Sequence, residues 1–428
     1  MKHPLHLGHT DEGEDLTLPL AALRRHAIVL GSTGSGKTVL CKAIVEEVAR
    51  KGLPVIAIDP QGDLASLGLQ GDTETLERMG VDPEIARSYH DRVDLKIWTP
   101  GSSSGIPISM APDLSVSQSD GFEQRIQAYA SAADSLADLV GYSSVSDAGQ
   151  AMRIALSSIL EYADEHELKC DTLAWVAAFL RDPPAGLLST LDTVVTEKAR
   201  KDAARRLQLR TMGVNRLLFD MGQPIDVMSL FGYEPGGPAS QGKTRVSVIY
   251  LNTLGSFDDK VMFVSMLASA LYRWMLHQSG EYPVGLVYLD EIAPYMPPTK
   301  KPPSKDGLML LLRQARKYGL CMLLATQSPG DIDYKGLAQV GSWFLGKIST
   351  RQELAKVEPR LRADAQLDLG DMIDSLPGFG AGQFVAINGD VFEGAQEFRA
   401  RWLVSRHETL SPDDVSQIVT DAERSYYG

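Results

Sequence analysis

Cysteine is scarce: 428 residues hold three, Cys41, Cys170 and Cys321. Their wide spacing makes neither a disulfide framework nor a metal knuckle. Cys41 and Cys321 fall in apolar patterns, so buried reduced thiols are expected at both, which suits a cytoplasmic protein. Long apolar runs are also missing, and no uninterrupted stretch approaches the length that spans a bilayer. Met1-Lys2-His3-Pro4 lacks the apolar segment of a secretory signal, and no membrane partner is expected. Positive charge is in deficit, with 42 Lys and Arg against 55 Asp and Glu. That argues against a nonspecific nucleic-acid coat, yet a narrow channel needs only a few local cations. What remains is a globular composition, 44% hydrophobic and 23% charged. The length allows two or three domains, or one core with a large insertion.

The most informative stretch is Gly31-Ser32-Thr33-Gly34-Ser35-Gly36-Lys37-Thr38. It fits G-x-x-x-x-G-K-[ST], follows the apolar run Ala27-Ile28-Val29-Leu30, and precedes a helical pattern with Leu40, Ala43, Ile44 and Val48 on one face. Strand, glycine loop and helix are the context that makes the motif a phosphate cradle. Glycines let the backbone turn its N–H groups toward phosphate oxygens at a helix N-terminus. Lys37 is expected to reach the β- and γ-phosphates of ATP and Thr38 to hold Mg²⁺. Gln241-Gly242-Lys243-Thr244 repeats three letters of the motif without the upstream glycine, and reads as a loop entering a strand.

Strand-like and helical runs alternate, as in a parallel α/β sheet. Val55–Ile58 ends in Asp59-Pro60-Gln61-Gly62-Asp63; Val246–Leu251, Gly285–Leu289, Cys321–Ala325 and Trp343–Ile348 follow. Gln383–Ile387 is a late strand, and Asn388-Gly389 after it predicts a hairpin. Between residues 101 and 242 the strand signal gives way to helical patterns over Arg125–Leu139, Ala151–Glu167 and Thr193–Leu209, broken by Pro183-Pro184. The expected organisation is therefore a core from 1–100 and 243–428 with a helical insertion at 101–242, which ends in the glycine- and proline-rich loop from Glu234 to Pro238.

Hydrolysis needs a metal carboxylate and a group that orients water. Val284-Gly285-Leu286-Val287-Tyr288-Leu289 runs straight into Asp290-Glu291. A strand end beside the glycine loop lets Asp290 serve Mg²⁺, through water, and Glu291 polarise the attacking water. Gln327, in Ala325-Thr326-Gln327-Ser328-Pro329, is placed to sense the γ-phosphate. Between these strands, Arg313-Gln314-Ala315-Arg316-Lys317-Tyr318-Gly319 closes a helix. Its cations either favour the negative end of the helix dipole or include an arginine aimed at a neighbour's γ-phosphate.

In this order the glycine loop, DPQGD, LDE, ARKYGL and ATQSP, with the lead-in His6-Leu7-Gly8-His9, resemble the HerA/FtsK superfamily of P-loop motor ATPases, most closely its HerA-like branch. The insertion and Arg245-Val246-Ser247-Val248 are similar to its bacterial DUF853-like members. The resemblance covers nearly the whole chain. It implies a RecA-like P-loop NTPase core with a mainly parallel sheet, assembled as a homohexamer with ATP between subunits and DNA in the pore. It also implies that Arg316 acts in trans, with Arg313 and Arg351 as runners-up. About thirty residues precede the glycine loop, too few for the N-terminal β-barrel of archaeal HerA.

Two cationic clusters are candidates for DNA contact: Lys300, Lys301 and Lys305, and Arg200, Lys201, Arg205, Arg206 and Arg210. Neither is interleaved with aromatics, so any binding is expected to run through the phosphate backbone, regardless of base sequence. For each cluster an ordinary solvated surface is the better single reading. The leading expectation is a DNA-translocating ATPase, helicase-type when paired with a nuclease, with a nuclease or a defence effector as candidate partner. The alternative is a nucleotide-gated ring scaffold in a defence, secretion or conjugation complex.

Overall fold

A computed structural model describes residues 4–114, 121–142, 146–348, 353, 355, 358 and 375–427. The chain divides into two compact units, Met1–Thr99 with Asp226–Thr420, and Pro100–Ile225 with Asp421–Gly428.

The first unit opens with β1 (Leu5–His9) and β2 (Asp15–Leu18), an antiparallel pair. β3 (Ala27–Leu30) feeds the glycine loop and the helix α1 (Lys37–Arg50); β4 (Val55–Asp59) and β5 (Val93–Pro100) follow. The second unit then contributes β6 (Ile106–Ser109) and β7 (Gln223–Pro224), a short parallel pair. Back in the first unit come β8 (Thr244–Tyr250), β9 (Gly285–Leu289), β10 (Leu320–Thr326), β11 (Ser342–Leu345), β12 (Gln383–Ile387) and β13 (Gln396–Ala400).

The first unit's sheet runs in the order β2-β1-β13-β12-β11-β3-β10-β9-β4-β8-β5. From β11 to β5 every pairing is parallel, whereas β12, β13, β1 and β2 add an antiparallel flank. β3, β4, β9 and β10 are buried along their whole length. Burial on both faces is why they read as continuous apolar runs instead of alternating ones. β3 lies mid-sheet between β10 and β11, so the loop after Leu30 opens at the carboxyl ends of its neighbours. In an open α/β sheet that edge holds the ligand.

α1 departs from a simple amphipathic helix. Its apolar face is buried as the sequence suggests, but Lys42, Glu46 and Glu47 are buried too. The C-terminal segment covers them: the Arg401 guanidinium lies 3.0 Å from Glu46 Oε2, and the amides of Val404 and Ser405 donate to the same carboxylate. Lys42 Nζ donates to Ser66 Oγ and to the Arg406 carbonyl. Burial lowers the Lys42 pKa to about 8, although four carboxylates oppose this. In β8, buried Arg245 is paired with Asp94 at 2.7 Å and Glu234 at 3.1 Å, which offsets the large cost of taking its charge out of water.

The second unit is mainly helical: Phe122–Leu139, Asp147–Glu165, Leu173–Arg181, Ala185–Val194 and Glu197–Arg210. Ser146, Thr172 and Thr196 cap three of these helices by accepting an amide hydrogen three residues on. The helical pattern read across Thr193–Leu209 is two helices, because Thr196 starts the second one. The segment after Ile225 packs with the first unit. The Ser229 and Leu230 carbonyls accept from Arg245 Nη1 and Ser247 Oγ of β8, so Val227–Phe231 is tied to β8 by side-chain hydrogen bonds. β12 and β13 do pair as a hairpin, but their connection is longer than a two-residue turn. Asn388 is buried with its side-chain amide on Ser342 Oγ, and the chain turns beyond it.

Candidate nucleotide-binding site

The glycine loop is fixed from three sides. Gly31 N donates to the Thr326 carbonyl, Ser32 N to the Lys347 carbonyl, and the Ser35 carbonyl accepts from Gly382 N at 2.9 Å. Gly34 and Gly36 adopt φ of 78° and 89°, which L-residues with side chains rarely adopt. At Gly36 a Cβ would also lie 2.8 Å from Gly382 N, so both backbone shape and space require glycine there. The amides of Thr33, Gly34, Gly36, Lys37 and Thr38 find no acceptor among the described residues, and no side chain caps α1. Five converging N–H groups at a helix N-terminus, with Lys37 beside them, fit a polyphosphate.

Glu291 closes the opposite wall. Its Oε2 accepts from Lys37 Nζ and from Gln327 N, both at 3.2 Å, while Oε1 accepts from Thr326 Oγ1 at 2.6 Å. Its φ is 56°, a left-handed conformation that costs a glutamate about 1–2 kcal/mol. Non-glycine strain of this kind concentrates at functional positions. Gln327 is exposed, and its side-chain oxygen accepts from Thr33 Oγ1 at 2.7 Å, a direct link from the strand end to the glycine loop.

Asp290 is buried and accepts from the Tyr288 hydroxyl at 2.9 Å. Burial raises its pKa, and the nearby Lys37 ammonium opposes the rise. Asp59, at the end of β4, is fully buried and accepts five amide hydrogens, from Gln61, Gly62, Asp63, Leu64 and Ala65. Burial still pushes its pKa up to about 6, and the Asp290 charge adds to the rise. With both of its oxygens accepting backbone amide hydrogens, Asp59 shapes the loop after β4. The Asp290 carboxylate and the half-buried Thr38 hydroxyl are hard oxygen donors of the kind Mg²⁺ takes. Cys41, behind the loop, is fully buried; its thiol is pushed up to about 12 and is inert.

The sequence model for the central domain of the helicase HerA matches residues 5–226, just over half of the chain. The chain belongs to this family. No curated protein matches it by sequence. Among solved structures, VirB4 of Thermoanaerobacter pseudethanolicus aligns over 94% of this chain and 97% of its own, with a TM-score of 0.58 and 12% identity. The plasmid coupling protein TrwB in complex with ADP and Mg²⁺ aligns over 96% and 92%, with a TM-score of 0.57 and 13% identity. At such identities the likeness is one of fold, and the fold is the RecA-like P-loop ATPase core expected from the motifs.

In this HerA-family chain Arg316 stands apart from the cluster just described. It is exposed on the turn Ala315–Tyr318, before the first residue of β10, whereas Gln327 follows the last. Six residue steps along β10 span about 20 Å, so Arg316 cannot reach its own glycine loop. Arg313 is exposed at the same end, on the last turn of the helix Pro303–Gln314. Neither side chain has a hydrogen bond or ion pair among the described residues. Arg351 lies outside the described residues. The Arg316 carbonyl accepts from Arg24 Nη2 at 3.5 Å, and Gly319 ends the turn with φ of 77°.

The cationic clusters divide. Lys305 is buried, donating to the Pro297 and Pro298 carbonyls and pairing with Asp333 at 2.8 Å, so it is structural; Lys300 and Lys301 are exposed. Arg200 is buried on the Leu180 and Arg181 carbonyls, Lys201 pairs with Glu197, and Arg205 and Arg206 share Asp202. Among the described residues no helix is long and apolar enough to cross a membrane.

Three contributors carry no local signal. Thr326 orients Glu291, Gly382 braces the loop, and Tyr288 holds Asp290. The cluster Gly378-Phe379-Gly380-Ala381-Gly382 was the one available hint of a close backbone approach.

Proposed function

We propose that this HerA-family chain hydrolyses ATP and works as a homohexameric ring that moves along or unwinds DNA. The observation that carries the hydrolytic part is the Glu291 carboxylate, held in a strained conformation by Lys37, Thr326 and Gln327 at the mouth of the glycine loop. The loop from Gly31 to Thr38 binds the phosphates, with Lys37 on the β- and γ-phosphates. When nucleotide enters, its γ-phosphate competes for the Lys37 ammonium, which frees Glu291 to polarise the attacking water. Gln327, already on Thr33, senses the γ-phosphate and steadies that water. Mg²⁺, held by Thr38 and through water by Asp290, would supply charge neutralisation at the phosphates. Arg316 completes the neighbour's site, where its fixed charge stabilises the transition state.

The alternative is a ring that organises other proteins in a defence, secretion or conjugation complex. The description of TrwB as a conjugative coupling protein is the observation that favours it. ATPase rates with and without duplex DNA, on material of measured oligomeric state, separate the two. DNA stimulation that weakens steeply with salt supports the motor. Hydrolysis indifferent to DNA in a confirmed hexamer refutes it. Mixing Arg316→Ala with Lys37→Ala protein tests the trans arginine: hybrid interfaces should recover hydrolysis that neither variant shows alone. No recovery with proven subunit exchange rules Arg316 out.

A further inference from the structure

The β1–β2 hairpin carries a cluster that plays no part in nucleotide chemistry. In a regular strand His6 and His9, three apart, would face opposite sides of the sheet. A bulge between His6 and Gly8 cancels that alternation. His6 therefore pairs with Thr17 and His9 with Asp15, two positions that share a face of β2. Gly8 permits the bulge: its backbone passes so close to β13 that a Cβ would lie 2.0 Å from the Arg399 carbonyl oxygen.

The two imidazoles and Asp15 thereby converge, with one ligand atom from each within 4.8 Å of the others. Asp15 Oδ1 lies 3.3 Å from His6 Nε2 and 3.0 Å from His9 Nδ1. Ligands about 2.0–2.1 Å from a tetrahedral metal ion sit about 3.3 Å from one another, so these edges match. Both His6 ring nitrogens are buried; Nδ1 has no hydrogen-bond partner among the described residues, and Nε2 meets only Asp15 Oδ1, at 3.3 Å and without hydrogen-bond geometry. An occluded imidazole without a hydrogen bond is costly in an ordinary surface hairpin.

We propose that His6, His9 and Asp15 bind one divalent transition-metal ion of the Zn²⁺ class, at a site separate from the nucleotide. Two imidazoles and one carboxylate suit zinc, cobalt, nickel or ferrous iron, whereas Mg²⁺ and Ca²⁺ take oxygen ligands only. The fourth tetrahedral position faces solvent on the side of His9 and Asp15, both exposed, and takes water. The His6 backbone is already tied to α1 and to the C-terminal segment, since His6 N donates to Glu47 Oε2 and its carbonyl accepts from Arg401 Nε. A bound ion would therefore clip the hairpin at the flank of the helix that follows the glycine loop.

The test uses the full chain, stripped with a chelator and titrated with Zn²⁺ by calorimetry, without nucleotide and with Mg²⁺ in excess to keep Zn²⁺ off Asp290. One Zn²⁺ per chain is expected. Loading with Co²⁺ should give the intense visible bands of four-coordinate cobalt, without the sulfur charge-transfer band that cysteine ligation would add. His9→Ala and Asp15→Asn alter exposed side chains, so folding and ATP binding should persist. Each should weaken Zn²⁺ at least ~10-fold, the loss of a ligand exceeding that of an outer partner. The thermal midpoint should rise with Zn²⁺ in the parent chain and stay flat in the variants. Absence of stoichiometric binding, or binding that both variants retain at unchanged affinity, overturns the proposal.

Discussion

Replacing Glu291 by glutamine tests the hydrolytic reading with little structural disturbance. The carboxylate accepts three hydrogens, two on Oε2 and one on Oε1. In the variant the amide oxygen can keep the Lys37 and Gln327 donors, while the NH₂ faces Thr326 Oγ1. That hydroxyl can turn its own hydrogen toward the Ser328 carbonyl, 3.4 Å away, and accept instead. The Thr326 and Gln327 bonds, charge-assisted and about 1.5–3 kcal/mol each, become neutral ones of about 0.5–1.5 kcal/mol, and the Lys37 bond keeps one charged partner instead of two. Allowing for the part-exposed position of Glu291, the expected loss of stability is about 1–2 kcal/mol, or a few degrees in thermal midpoint. Loss of a general base costs far more in rate, about 10²–10⁴-fold. ATP affinity should hold or tighten, because Lys37 no longer has a carboxylate to leave. Equilibrium binding of a labelled nucleotide and single-turnover hydrolysis measure the two quantities separately. Hydrolysis within about tenfold of the parent, with binding intact, would remove Glu291 from the chemistry.

Glycine chemistry at the loop has a built-in control. Gly36 and Gly52 share a φ of 89°, but only at Gly36 would a Cβ meet backbone. Gly52→Ala should lose about 1 kcal/mol of stability in urea unfolding and keep nucleotide binding; Gly36→Ala should lose binding as well. His26 makes stability pH-dependent. It is buried with Nδ1 accepting from Met322 N, so Nε2 carries the proton and donates to the Leu312 carbonyl. Burial lowers its pKa from 6.5 to about 4. Between these values the unfolded chain binds the proton and the folded chain does not, so the His26 contribution to stability falls as pH drops from 6.5, by about 3 kcal/mol at pH 4. Urea unfolding of the parent and of His26→Asn, whose side chain tolerates the left-handed backbone at this position, should differ by that slope, since Asp59, with its raised pKa, acts in the opposite sense in both chains.

What could be read in advance was local. Glycine loop, strand-end carboxylates and Gln327 each announce themselves within a few residues, because a buried parallel strand is a continuous apolar run and its polar ligands come at once after it. Sequence could not show which strands flank β3, since β10 and β11 arrive some three hundred residues later. Nor could it show that the polar face of α1 is buried: Glu46 looks like a solvated helix residue until Arg401, Val404 and Ser405 close over it. The bulge at Gly8, which turns two alternating histidines onto one face, is likewise set by the neighbouring strands and not by the residues inside it.

The bracing of the glycine loop also dictates when the site can exist. The motif is made long before its supports: β3 gains its first sheet partner only once Leu320–Thr326 has been made, and Ser35 is held only after Gly382. A nascent chain carrying every letter of the motif is thus an ordered phosphate cradle in text alone. A chain cut short before Gly382 would carry the motif without the brace that shapes it.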